Sequence, residues 1–200
     1  HVPEDAINGA CDIIAEEVSD NADYRSYIRE KTKKEGLIVS TQKKENAPSV
    51  YEMYYDYSEK LTTVPGHRVL AMNRGEKEDF LTVKITAPEE DIVRYLEKQL
   101  VTKDNPNTTP ALKNAASDAY DRLIAPSIER EIRSDLTEMA EDGAIKVFAA
   151  NLRQLLLAPP ITGKTVLGWD PGYVHGCKLA VCDPTGKILT TDMVFPFKPK

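Results

Sequence analysis

The sequence has few cysteines, no long apolar run and, in its first residues, no signal-peptide pattern. Its three cysteines, Cys11, Cys177 and Cys182, are an odd number with no regular spacing among 200 residues. This argues against a disulfide framework and fits a reducing compartment, so we expect a cytoplasmic protein. No apolar run approaches the roughly 18 residues of a membrane-spanning helix. Residues 1–5 lack the basic and apolar regions of a signal peptide and an initiator Met, so we expect a piece of a longer protein.

A surplus of basic residues is also missing. The chain has 26 Lys and Arg against 32 Asp and Glu, which gives a formal net charge of −6. Dedicated nucleic-acid-binding domains usually carry the opposite balance. Any contact with nucleic acid must therefore come from a local basic patch or from parts outside this chain. A hydrophobic content of 41% is ordinary for a globular protein. A chain of this length buries a hydrophobic core without needing disulfides or metal ions to stabilise it.

Up to about residue 160 the apolar residues recur mostly at the three-to-four spacing of amphipathic helices. These stripes predict helices over residues 3–18, 24–35, 65–75, 88–100 and 111–157. Gly36 is predicted to end one helix, and another is predicted to end near Gly75. Within the last one, Pro126 predicts a kink and Gly143 a division.

Short β-type segments interrupt this helical pattern. Residues 37–41 form a β-branched run, and residues 80–86 alternate apolar and polar side chains. The two segments are predicted to pair as a small two-stranded element, whereas residues 50–57 fit helix and strand equally. We therefore predict a mainly helical domain over residues 1–160 with a small inserted β element.

From residue 165 the periodicity changes to that of strands. Strands are predicted over residues 165–170, 176–182 and 187–194, with a turn at residues 183–186. A sheet of three strands with no covering helix is not an independent domain. Residues 165–200 are therefore predicted to be the start of a truncated α/β domain. The predicted fold class is α+β and predominantly α-helical.

Four segments of the chain resemble a known family. They read VPGHRVLAMNRGE at residues 64–76, NLRQLLLAPP at 151–160, VLGWDPG at 166–172 and DPTGKIL at 183–189. The last two resemble the opening of a YqgF-type, RNase H-like domain, and all four are similar to the bacterial Tex family of transcription accessory proteins. The resemblance implies a helical central region followed by the first strands of the RNase H-like domain. Helix-hairpin-helix elements and an OB-fold RNA-binding domain would follow beyond this chain.

The resemblance also implies a function and partners. It implies a scaffold in transcription or elongation that positions RNA- and DNA-binding domains. RNA or DNA would be bound through the intact protein, and RNA polymerase or ribosome-associated proteins would be further partners. No membrane is implied.

Asp170 is the candidate catalytic and metal-binding residue. At the end of the first strand of an RNase H-like sheet, the resemblance implies that its carboxylate is the first ligand of a two-Mg²⁺ site. The other acidic ligands would lie beyond Lys200. The alternative interpretation is that Asp170 begins a simple turn. We therefore expect no catalysis and no cofactor in this chain, while the intact protein has the alternative of a metal-dependent nuclease or resolvase that hydrolyses phosphodiester bonds.

Basic residues near aromatic side chains form the candidate nucleic-acid-binding surface. Interleaved cations and rings hold phosphates and stack on bases, and Tyr24 and Tyr27 lie among the first of these cations. The candidate residues are Arg25, Arg29, Lys33, Lys34, Arg68 and Arg74. The alternative is a solvated helix face, with Arg68 and Arg74 paired to Glu76 and Glu78.

An acidic face is predicted on the last long helix. It comprises Glu129, Glu131, Asp135, Glu138, Glu141 and Asp142. Such a face repels a phosphate backbone but suits solvent or a basic protein partner. A third functional hypothesis is therefore a protein-interaction module that uses this helix.

Overall fold

The computed structural model describes residues 3–43, 48–159, 161–172 and 174–196. The predicted domain end at residue 160 and the last four residues of the predicted second domain lie outside these ranges. The chain divides into two compact units, residues 1–148 and residues 149–200. Helices predominate and two small sheets accompany them, so the predicted α+β class is confirmed.

The described helices and strands follow one another in a simple order. The helices are α1 (Pro3–Asp20), α2 (Ala22–Glu35), α3 (Gly66–Lys77), α4 (Glu89–Leu100), α5 (Thr109–Asp118) and α6 (Ala125–Leu156). The strands are β1 (Leu37–Gln42), β2 (Asp56–Lys60), β3 (Leu81–Thr86), β4 (Val166–Asp170), β5 (Cys177–Cys182) and β6 (Ile188–Val194). A 3₁₀ turn at Glu52–Tyr54 precedes β2, and a π-helical turn at Ala119–Ile124 joins α5 to α6.

The sheet of the first unit has three strands rather than the two expected. Its order is β2-β1-β3, with both pairs antiparallel. The predicted pairing of β1 with β3 is confirmed, and Ile38 lies opposite Ile85. The sequence of β2, DYSEK, has no β-branched residue, so its strand conformation depends on hydrogen bonding to β1 rather than on intrinsic propensity.

One face of this sheet and the surrounding helices share a single core. Alternate residues of β1 and β3 turn inward, which is why Ile38, Leu81 and Val83 are buried. The helical side chains at three-to-four spacing meet them from α3, α4 and α6. The fully buried helical residues include Met72, Ile92, Leu96, Ile124, Ile128 and Ile132.

Gly36 and Gly75, at or near two predicted helix ends, are required by close packing rather than by a left-handed backbone conformation. Gly36 ends α2 as predicted, but with φ −71° and ψ 162° it is extended rather than left-handed. A Cβ there would lie 2.5 Å from Thr32 O and 2.9 Å from Thr86 O, so close packing demands glycine. The other helix, α3, ends near Gly75 as predicted, at Lys77, so Gly75 lies within it. A Cβ at Gly75 would lie 2.6 Å from Leu81 Cδ1, so this glycine admits β3 against the helix.

The long helical stretch is distorted before its proline and not at its glycine. A π-helical turn directly precedes Pro126, where a kink is predicted, and in it the Ala125 N–H bonds to Tyr120 O. Proline lacks an N–H and its ring clashes with the carbonyl four residues earlier, so the wider turn accommodates it. Gly143 does not divide α6, which runs through it to Leu156.

The second unit contains the three strands predicted from residue 165 onward. They form an antiparallel sheet in the order β4-β5-β6. In the β5–β6 turn, Asp183 Oδ1 accepts the backbone N–H groups of Thr185 and Lys187 at 2.8 and 3.0 Å. Gly186 takes the left-handed conformation, φ 87°, that this turn requires.

Candidate nucleic-acid interface and candidate metal position

Three of the candidate nucleic-acid-binding cations lie in a ladder of contacts between α2 and α6. Their positions are spaced by four residues, so they share one face of α2. Each bonds to a residue 102 positions later, and α6 therefore runs parallel to α2 along this seam. The contacts join Arg25 to Ser127 (2.7 Å), Arg29 to Glu131 (2.5 and 3.1 Å) and Lys33 to Asp135 (2.8 Å). We call these contacts the α2–α6 ladder.

The central rung of the ladder has the strongest geometry. Arg29 donates from Nε and Nη2 to the two oxygens of Glu131, a bidentate arrangement that a lysine cannot make. The hydrogen bond and charge of Glu131 raise the pKa of the Arg29 guanidinium. Both side chains are partly exposed, so such a pair contributes on the order of 1 kcal/mol. Nucleic-acid binding by these cations stays a prediction.

The same ladder occupies part of the predicted acidic face. Glu131 and Asp135 pair with α2, and Glu129 accepts the Ile85 N–H at 2.8 Å. The remaining members of the face, Glu138, Glu141 and Asp142, are exposed. The face predicted as a protein-interaction surface thus contributes half of its carboxylates to the fold.

Tyr24 and Tyr27, the rings predicted to stack on bases, instead contact another tyrosine of the same unit. The Tyr27 ring lies face to face with Tyr95 of α4, with centroids 3.8 Å apart, and Tyr24 meets the same Tyr95 ring edge-on at 6.1 Å. Such pairs stabilise packing by about 0.5–1.5 kcal/mol. These rings therefore join α2 to α4.

Arg68 pairs with a residue that sequence reasoning did not select. Its Nη1 donates to Tyr57 OH and to Glu59 Oε2, both at 2.9 Å, and both acceptors lie on β2. The Tyr57 hydroxyl donates to Glu59, and this hydrogen bond, with that from Arg68, holds the pKa of Glu59 below its usual value. The partner is thus neither Glu76 nor Glu78.

Lys34 and Arg74 differ from the other candidate cations. Both side chains are exposed. Neither forms a hydrogen bond or ion pair within the described ranges. They are therefore the candidates whose charge is available to a phosphate.

A further polar cluster closes the outer edge of β3, and sequence reasoning missed it. Arg133 donates to Val83 O at 2.8 Å and to Glu76 Oε2 at 2.6 Å. Glu76 Oε1 accepts the Val83 N–H at 3.2 Å, while Glu129 accepts the Ile85 N–H two residues further on. These side chains replace the next strand and prevent edge-to-edge pairing. The partners lie too far apart in sequence for any local pattern to show them.

Asp170 lies at the carboxyl end of β4 and is exposed, beside an open depression of about 700 Å³. It pairs in register with Lys178, and Lys178 pairs with Met193, so these three side chains share one face of the sheet. Asp192, one residue from Met193, lies on the opposite face. Among the described residues, no group of three His, Cys, Asp or Glu side chains is arranged to hold a metal ion. The described residues of this unit do not make up a two-Mg²⁺ site.

No described helix is long and apolar enough to cross a membrane.

Comparison with known proteins identifies both units. Residues 3–148 match the family described as Tex central region-like, and residues 164–200 match the Tex protein YqgF-like domain. The chain is 51% identical over 199 residues to the protein YdcI of Bacillus subtilis, which covers 98% of this chain and 28% of that protein.

Two further relatives have informative names. Protein tex of Bordetella pertussis is 37% identical over 210 residues, covering 98% of this chain and 26% of that protein. The human S1 RNA-binding domain-containing protein 1 is 34% identical over 201 residues, covering 94% of this chain and 20% of that protein. The chain thus spans between a fifth and a little more than a quarter of the length of these relatives. Since the central-region match alone covers well over half of the chain, the chain belongs to the Tex family of transcription accessory proteins.

Proposed function

We propose that this chain is the supporting part of a cytoplasmic, nucleic-acid-binding transcription accessory protein. Its helical unit holds in position RNA- or DNA-binding domains that lie elsewhere in the longer protein. The family membership supports this role, as does a relative named for an S1 RNA-binding domain. The negative net charge favours support over direct contact with phosphate.

The α2–α6 ladder is the observation that carries the proposal. It joins three of the candidate nucleic-acid-binding cations of α2 to acceptors within the same unit. A cation in a bidentate ion pair must break that pair before it binds a phosphate, which weakens any such contact. The ladder instead fixes the direction of α6 relative to α2, which suits a rigid support.

A charge swap at the central rung tests this role. We expect Arg29→Glu to lower the thermal midpoint, Glu131→Arg to lower it as well, and the double variant to recover most of the loss. A change of 1 kcal/mol corresponds to about 2–4 °C for a chain of this size. Lys34→Glu is the matched control, because it makes the same charge change at an exposed side chain without an ion pair.

Binding to single-stranded RNA at low salt provides the second measurement. We expect weak binding that is the same in Arg29→Glu and in the charge-swapped double variant. Salt-dependent binding that disappears in Arg29→Glu and does not return in the double variant would make α2 the contact surface. The supporting role would then be wrong for this unit.

We propose no catalytic activity for this chain by itself. The face of the sheet around Asp170 supplies one carboxylate, whereas a two-metal phosphodiesterase needs several. In the longer protein the nuclease alternative predicts Mg²⁺-dependent cleavage that is lost in Asp170→Asn. Equal cleavage by both proteins would remove Asp170 from the mechanism.

A further inference from the structure

A cavity of about 260 Å³ lies in the first unit and shares Glu129 with the predicted acidic face. Residues of α2, the end of β3, the start of α4, the π-helical turn and α6 line it. Ligand pockets commonly measure about 300–1,000 Å³. The cavity therefore suits a small molecule and is too small for a nucleotide.

Tyr120, from the π-helical turn, lines this cavity. Tyr120 is only 5% exposed, and its hydroxyl makes no hydrogen bond within the described residues but is not closed off from solvent. Buried tyrosine hydroxyls normally have a partner. Single π-helical turns within α-helices are also frequent at binding sites, because the wider turn reorients a side chain. Because this hydroxyl is open to the cavity, a ligand or water there completes its hydrogen bonding.

The charged residues that line the cavity determine whether its ligand is a cation or an anion. Glu89, Asp121 and Glu129 line it, and none of the described lining residues is basic. Burial, followed by these three negative charges, raises the pKa of Tyr120 to about 12. The phenol oxygen therefore lies within electrostatic reach of the lining carboxylates and stays protonated at neutral pH. Phosphates and carboxylates are excluded because they would meet like charge.

The remaining lining atoms select the shape of the ligand. Ile28 and Ile128 contribute apolar surface to the same cavity. One oxygen of Glu129 already accepts the Ile85 N–H at 2.8 Å, which holds this carboxylate in place. An aliphatic stem would lie on the isoleucines while a cationic head group reaches the carboxylates.

We infer that this cavity binds the ammonium or guanidinium group of a small aliphatic cation. Glu89 and Glu129 pair with its charge, and the Tyr120 oxygen accepts a hydrogen bond from it. Among these residues Glu89, in the first turn of α4, is exposed, as is the lining residue Asp121.

Titration of the ¹⁵N-labelled 200-residue chain with agmatine tests the inference. We expect saturable shifts of the backbone amides of residues 85–89 and 119–129. Nα-acetylarginine amide is titrated in parallel, because an arginine side chain of another protein carries the same head group. Saturation by agmatine alone supports a free small cation, whereas saturation by both supports a site that also accepts a protein side chain. Failure of both to saturate at millimolar concentration overturns the inference.

Two variants and a matched control separate a built site from general attraction. Glu89→Gln is expected to weaken agmatine binding about fivefold or more, because it removes a charge-assisted hydrogen bond. Tyr120→Phe keeps the ring and is expected to weaken binding about threefold. Glu90→Gln removes the same charge one residue further along, outside the cavity, and should change binding less than about twofold. Equal weakening by Glu89→Gln and Glu90→Gln would show non-specific attraction only and overturn the inference.

Discussion

Arg133 of α6 and Glu76 of α3 meet at 2.6 Å and together close the outer edge of β3 at Val83. The guanidinium bonds to the Val83 carbonyl and the carboxylate to the Val83 N–H. Two side chains therefore satisfy the backbone groups that a fourth strand would otherwise take. The same pair links two helices and the sheet, so it stabilises the first unit at the point where three elements join.

Removing Arg133 should destabilise the chain strongly. Arg133→Leu leaves Glu76 and the Val83 carbonyl without their partner, and we expect a loss of about 2–3 kcal/mol in the free energy of unfolding. Urea denaturation measures this loss. Arg130→Leu, at an exposed position of the same helix, should cost less than about 0.5 kcal/mol. Similar losses in both variants would contradict a special role for the pair.

Glu76 should make stability depend on acid pH. Burial by itself would raise its pKa, but the hydrogen bond and charge of Arg133 outweigh burial and lower the pKa below the ordinary value of 4.5. A lowered pKa in the folded state means that the contribution is complete above about pH 4.5 and is lost as pH falls through the folded-state value. Thermal midpoints between about pH 6 and pH 3 should fall less steeply for Glu76→Gln than for the parent chain.

The Arg133→Leu background provides the control for this pH dependence. Without the cation, the cause of the lowered pKa is gone, so Glu76→Gln should change the slope much less there. An unchanged difference between the two slopes would assign the acid sensitivity to other groups.

Three glycines should respond in opposite directions to alanine. Gly36→Ala is expected to destabilise by about 2–3 kcal/mol, since its Cβ would meet the carbonyl oxygens of Thr32 and Thr86, which belong to the backbone and cannot move aside. Gly9→Ala and Gly143→Ala are expected to stabilise by about 0.5–1 kcal/mol, because both lie within helices and their Cβ atoms would meet nothing within 4 Å. Calorimetric unfolding distinguishes these outcomes, and a stabilising Gly36→Ala would contradict the packing.

Ser40 should tolerate loss of its hydroxyl. Its Oγ is buried and without a hydrogen-bond partner, as the described part of the chain shows. Ser40→Ala removes an unsatisfied polar atom and should stabilise by about 1 kcal/mol in denaturant unfolding. Ser58→Ala, on the exposed side of neighbouring β2, should change stability by less than about 0.5 kcal/mol. A destabilised Ser40→Ala would mean that the hydroxyl has a bound partner in solution.

Local features of the fold were accessible from the sequence to different degrees. Periodicity located the helices and the strands β1, β3 and β4–β6, because each of these has an apolar pattern of its own. It left β2 undecided, since DYSEK becomes a strand only beside β1. It also misjudged Gly143, because a glycine has the same letter whether it ends a helix, admits a neighbouring strand as Gly75 does, or does neither.

The candidate site residues were likewise predictable from the sequence only in part. Resemblance predicted Asp170 at the end of a strand, where the structure has it. The basic character of Arg29 was plain from its identity, but its bond to Glu131, 102 residues away, was not. Charge is a property of the residue, whereas pairing depends on which helix faces are brought together.

The sequence by itself determined the helical class, the family and the strands that carry their own apolar alternation, because these depend on the order of neighbouring residues. Tertiary structure alone decided the α2–α6 ladder, the closed edge of β3 and the carboxylate-lined cavity at Tyr120. Each of these arises where segments distant in sequence pack against one another, and burial there determines which polar groups find partners.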